Sequence, residues 1–157
     1  MNKLVRLLIT PQTHVRTTQG DRIYFRIPRA KLRPAGLKRL ERIERYNQYK
    51  IDLLALCRSK GFTLPCQGLH ISFYIPVPKS WSKKKKAQYH GSLHQSTPDI
   101  DNLVKALFDS LTAEDKYVGH IGSICKRWVD FEEGWIEFEV QEPILKQIKH
   151  PNECLID

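Results

Sequence analysis

Residues 37–58, LKRLERIERYNQYKIDLLALCR, carry the strongest periodicity in the chain and do most to limit its fold. Leu37, Leu40, Ile43, Tyr46 or Asn47, Lys50 or Ile51, and Leu54 recur every three or four positions, which is the spacing of one helical face. Gly61 stands just beyond the last of them as a stop signal. Lys38, Arg39, Arg42 and Arg45 occupy the outer side, partly offset by Glu41 and Glu44, and read as the solvated face of an ordinary amphipathic helix. Such a stripe must be buried against another layer.

Strand patterns supply that layer. KLVRLLIT (3–10) reads as a strand, and 67–76 alternates Leu69, Ile71, Phe73 and Ile75 after Gly68, with His70 on the other side as a surface or packing residue. Residues 117–129 and 134–140 read as two more strands joined by the turn DFEEG. Between Gly20-Asp21 and Pro28, Ile23, Phe25 and Ile27 alternate with Arg22, Tyr24 and Arg26, which predicts a hairpin or bent strand over 15–28. A second helix over 100–112 would pack through Leu103, Leu107 and Leu111, with Val104 and Phe108 alongside. The order β-β-α-β-α-β-β predicts an α+β fold: a single domain over 1–142, with a mixed β-sheet packed against two main helices, and a weakly patterned tail over 143–157.

Charge narrows the partner. The 157 residues hold 26 Lys and Arg against 17 Asp and Glu, a net charge of +9 that favours a polyanion, most commonly nucleic acid. Solubility alone is the plainer account of that excess. The four cysteines form no CxxC pair, which argues against a zinc ribbon or a thioredoxin-type motif. No apolar run approaches the roughly 20 residues that span a bilayer. MNKLVRLLIT reads as a strand and not as a signal peptide, so the expected location is cytoplasmic, with reduced thiols. The segment VPKSWSKKKKAQYHGSLHQST changes composition sharply, with Trp81, the run Lys83, Lys84, Lys85, Lys86, and Gly91. It predicts a short helix or loop projecting from the body, either solvated or contacting phosphates, since adjacent like charges repel unless an anion is near.

STPDIDNLVKALFDSL (96–111) places Asp99 and Asp101 where the second helix begins. Helix capping accounts for both: Asp99 as N-cap accepting from the first-turn N–H groups, and Asp101 favoured by the helix dipole. Three neighbours favour a metal site instead. Lys105 falls one turn after Asp101 on the same face, with Asp109 continuing that face as its possible ion-pair partner; Glu114-Asp115 follow the helix; and the surroundings are basic. Clustered carboxylates repel without a cation, whereas Mg2+ takes one or two of them together with water and phosphate, the requirement of metal-assisted phosphodiester hydrolysis. His90 and His94 are four apart, a zinc-like spacing on a helix, but Gly91 between them argues against helix there. His94 is a candidate for contacting nucleic acid beside the site, and His120 reads as packing or surface.

PDIDNLVKALFDSLT followed by EDKYV resembles the signature of RusA-like Holliday-junction resolvases, approximately D-x-D-N-x-x-K-x-x-x-D-x-L and then an acidic pair, two residues, and Val or Ile. Asp99, Asp101, Asn102, Lys105, Asp109 and Leu111 match residue for residue. The resemblance covers about 96–128, is weaker over FYIPVPKSWSKKKK, and is unspecific before residue 60. It implies a Mg2+-dependent endodeoxyribonuclease that cuts four-way DNA junctions by paired nicks, a homodimer with no small-molecule cofactor. It further implies that Asp99 and Asp101 are metal ligands, that Lys105 assists at the phosphate, and that Asp115 is the third acid, with Glu114 as alternate. Lys83 to Lys86, Arg22, Arg26 and Arg127 would then hold the junction arms. Two rival readings stand beside it: a non-catalytic nucleic-acid-binding module whose aspartates only cap a helix, and a nuclease acting on flaps or forks.

Overall fold

A computed structural model describes residues 3–112 and 115–141, and of Lys3 and Asp115 the backbone alone. Four strands form one sheet: β1 (Lys3–Leu7), β2 (Leu69–Pro76), β3 (Ile121–Val129) and β4 (Trp135–Val140), in the order β1-β4-β2-β3. β4 runs antiparallel to both β1 and β2, while β2 and β3 are parallel. A parallel pair needs a long crossover, and here it carries α2 (Lys83–Tyr89) and α3 (Ile100–Leu111). Among the described residues the remaining α-helix is α1 (Pro34–Ser59). The chain is thus a single-domain α+β protein with a mixed four-stranded sheet.

One core joins the inward face of the sheet to α1 and α3. Val5 and Leu7, Leu69, Ile71 and Phe73, and Ile136 and Phe138 meet Ile43, Tyr46, Leu53, Leu103, Ala106 and Leu107. The opposite face is largely polar, as expected of a sheet with one solvated side. There the Tyr74 hydroxyl donates to Glu137 at 2.9 Å, and His70 Nδ1 and Ser123 Oγ share a hydrogen bond of 2.7 Å. No helix among the described residues is long and apolar enough to cross a membrane.

The expected hairpin or bent strand over 15–28 is absent. Residues Gln19–Phe25 form a 3-10 helix instead. Its organiser is Asp21, a buried carboxylate that accepts from the Thr18 backbone N–H at 2.7 Å and from the Arg39 side chain at 2.9 and 2.8 Å. The apolar residues that suggested a strand, Ile23 and Phe25, are 54% and 56% exposed, so their alternation has no core to face.

The long helix is confirmed and begins at Pro34, whose fixed φ suits the first turn. Its buried stripe passes through Leu40, Ile43, Tyr46, Tyr49, Leu53 and Cys57, and leaves Ile51 exposed. Beyond Tyr46 the buried face therefore lies one or two positions away from the predicted one. β3 likewise starts at Ile121 and not at 117, because Asp115–Tyr117 forms a 3-10 turn and the N–H groups of Gly119 and His120 are both spent on Cys66 O.

Candidate active site

α3 is strongly amphipathic. Burial of Leu103, Ala106 and Leu107 leaves Asp101, Lys105 and Asp109 as an exposed stripe at intervals of four. Asp99 occupies the N-cap position with extended backbone (φ −69, ψ 145), and its carbonyl accepts from Leu103 N at 3.2 Å. The side chain does not complete the capping role: no first-turn N–H donates to it. The carboxylates of Asp99 and Asp101 are both exposed and have no hydrogen-bond or ion-pair partner among the described residues. Capping thus explains the backbone at Asp99 but not its acid group.

Two unpartnered carboxylates separated by one residue at the positive end of a helix form a hard-oxygen donor set. That set suits Mg2+, which is held by one or two protein carboxylates and keeps several waters. The candidate third acids, the Asp115 side chain and Glu114, lie outside the described residues; the Asp115 backbone opens the turn Asp115–Tyr117. Among the described residues no group of three His, Cys, Asp or Glu side chains converges to hold an ion.

Lys105 has no ion-pair partner among the described residues. Asp109, the expected candidate to neutralise it, pairs instead with His14 Nε2 at 2.9 Å and accepts a longer bond of 3.4 Å from the Tyr46 hydroxyl. Burial, followed by the Asp109 charge, pushes that hydroxyl up to about 12, so Tyr46 remains a donor at neutral pH. Lys105 borders an open cleft of about 540 Å³ with His14, Arg16, Lys50 and Asp109. The cations on its wall outnumber the single carboxylate, and a phosphate chain passing Lys105 would meet them next.

On the other side of Asp99, the segment before α3 is held by β3. His94 is 2% exposed, its ring stacked on Trp128 at 3.7 Å, and its N–H donates to Lys126 O at 2.9 Å. Burial and then the Lys126 charge lower the basicity of His94. It is a packing residue and presents no exposed surface to DNA. His90 Nδ1 accepts from Asp130 N at 2.9 Å, and α2 ends before Gly91 (φ +80), so the two histidines do not share a helix face. His120 Nδ1 accepts from Gly68 N at 3.2 Å.

The lysine run forms α2, capped by Ser82, whose Oγ accepts from Lys85 N at 3.3 Å. Lys83, Lys84 and Lys85 are exposed, and Lys86 is half-buried. Arg22 and Arg26 are exposed on and just after the 3-10 helix, not on a strand. Arg127 is partly committed to structure, donating through one guanidinium nitrogen to Gly91 O at 2.9 Å. Two residues beside the site were given no role by the sequence, although Lys126 falls within the segment that resembles the family. His14 lies in a loop without periodicity, and Lys126 looked like one more residue of a strand.

A family model for the endodeoxyribonuclease RusA matches residues 26–119, more than half of the chain. The chain belongs to the RusA endodeoxyribonuclease family. The match reaches back through all of α1, well before the segment where the motif resemblance was specific, and ends before β3. No curated protein matches the chain.

Proposed function

We propose that this protein is a Mg2+-dependent, structure-specific endodeoxyribonuclease that resolves four-way DNA junctions by paired symmetric nicks. The observation that carries this reading is the pair of exposed carboxylates at the head of α3, with Lys105 one turn along, none of the three partnered among the described residues, in a member of the RusA family. Asp99 and Asp101 would hold the ion, joined by Asp115 or, failing it, Glu114. Bound there, Mg2+ supplies Lewis-acid polarisation of the scissile phosphate and a more acidic water. Lys105 places its ammonium beside the charge that develops on the phosphoryl oxygens. The cationic cleft beyond it, the exposed face of α2, and Arg22, Arg26 and Arg127 guide the DNA backbone through phosphate contacts that fix register without reading sequence. Symmetric cuts on two strands require two such sites related by a two-fold axis, hence a homodimer.

The test is a labelled four-way junction incubated with the protein in Mg2+ or in EDTA, comparing wild type with Asp101→Asn. Wild type nicks the junction only with metal, and the variant binds it but nicks at least roughly a hundredfold more slowly. A wild-type protein that binds the junction yet never nicks it in Mg2+ or Mn2+ is a binding module and ends this assignment. Flaps, forks and plain duplex offered in parallel decide whether the junction is the preferred substrate.

A further inference from the structure

We infer that Lys126 is a positioning residue for the proposed metal site, its ammonium fixing the segment that delivers Asp99 to the head of α3. The inference rests on the reading of Asp99 as a metal ligand. Lys126 Nζ donates to the carbonyls of Ser96 and Pro98, each at 2.6 Å. Its own carbonyl accepts from His94 N at 2.9 Å. Residues 94–98 therefore leave β3 at Lys126 and return to the same residue. Ser96 N closes the loop internally, donating to His94 Nδ1 at 3.4 Å, while the His94 ring is held on Trp128.

Asp99 sits at the exit of this loop. On one side the Pro98 carbonyl, a single peptide bond away, is gripped by the ammonium; on the other the Asp99 carbonyl accepts the first α3 bond. Its backbone is fixed from both flanks, although its carboxylate makes no hydrogen bond or ion pair among the described residues. The base of the grip is held in place, because β3, the edge strand of the sheet, is paired along its length with β2, with Lys126 opposite the buried Phe73. Charge-assisted bonds of this length are among the stronger ones a side chain makes.

The contrast with Lys105 separates two roles. Lys105 is exposed and unpaired among the described residues, ready for a phosphate, whereas Lys126 is half-buried and has turned two of its three donors onto backbone carbonyls. Lys126 also lies beyond residues 26–119, so the family match does not assign it a role.

Lys126→Met and Lys126→Arg, with Lys126→Gln as substitute should the Met variant not fold, are compared with wild type in three assays. Mn2+ binding is measured by calorimetry without DNA, amide hydrogen exchange is followed over 94–102, and junction affinity is titrated against salt in EDTA. The expected result for Lys126→Met is Mn2+ binding weakened about tenfold or more, faster exchange over 94–102, and unchanged junction affinity, with Lys126→Arg recovering part of the metal affinity. Wild-type Mn2+ affinity in Lys126→Met overturns the proposal. So does a loss of junction affinity with a salt slope smaller by about 0.9, which would make Lys126 a direct phosphate contact. If wild type binds Mn2+ but nicks no DNA, the nuclease reading fails, while calorimetry and exchange still decide the role of Lys126.

Discussion

His14 Nε2 stands 2.9 Å from a carboxylate oxygen of Asp109, and this pair ties the loop after β1 to the exposed stripe of α3. The same residue donates its backbone N–H to Asn102 O at 3.1 Å and sets its ring edge-on to Tyr46 at 5.8 Å. Asp109, the last acid of α3, thus acts as an anchor. Asp109→Asn keeps an acceptor oxygen and is expected to nick within a few-fold of wild type, while Asp109→Ala lowers stability by about 1 kcal/mol. Nicking assays and thermal unfolding check this. If Asp109→Asn lost Mn2+ binding as fully as Asp101→Asn, Asp109 would be a ligand and not an anchor.

The carboxylates of Asp99 and Asp101, without a partner among the described residues, make a second prediction about stability. Like charges held close together repel when nothing lies between them. In EDTA the double variant Asp99→Asn, Asp101→Asn should therefore unfold at the same temperature as wild type or slightly above it. Mg2+ at ten times its dissociation constant should stabilise wild type by about 1.4 kcal/mol and leave the double variant unmoved. Calorimetric scans with and without Mg2+ give the answer, and an equal upward shift in both proteins would place the ion elsewhere.

Acid sensitivity follows from Asp21. The Arg39 side chain, and after it the Thr18 N–H, hold its carboxyl well below the usual carboxylate range. A carboxyl made more acidic by folding stabilises the native state above its ordinary pKa of about 4, and that contribution is lost as pH falls through the lower, folded value. Asp21→Asn should accordingly be less stable than wild type at neutral pH, and the gap should narrow steadily below about pH 4. Urea titrations across that range measure it; a gap that stays constant into acid would mean that the Asp21 charge is immaterial.

What could be read from sequence was whatever local spacing determines. Leu103 and Leu107 place α3, Leu69, Ile71 and Phe73 place β2, and the acids at 99 and 101 with Lys105 at the next turn mark the candidate site. What could not be read depends on distant partners. The alternation of Ile23 and Phe25 is real, but the segment is organised by Asp21 and an arginine 18 residues away. Along α1, Ile51 fits the apolar pattern as well as its neighbours do, and only packing against the sheet selects Tyr49 and Leu53 instead. Lys126 and His14 acquire their roles from residues 28 and 95 positions away, across pairings that no local pattern encodes.

The lysine run separates into two kinds of residue. Lys85 Nζ lies 4.0 Å over the Trp81 ring, and Trp81 in turn packs on Trp128 at 5.3 Å, so this lysine helps join α2 to β3. Lys84 is exposed and makes no such contact among the described residues. Lys84→Ala should weaken junction binding for every sequence alike and reduce the salt slope by about 0.9, without moving the unfolding temperature. Lys85→Ala should reduce binding as well and also cost about 0.5–1 kcal/mol of stability through the lost cation–π contact. Salt titrations of junction affinity paired with thermal unfolding separate the two effects. A salt slope unchanged in Lys84→Ala would remove α2 from the DNA path and leave the cleft beside Lys105 as the route for the phosphate backbone.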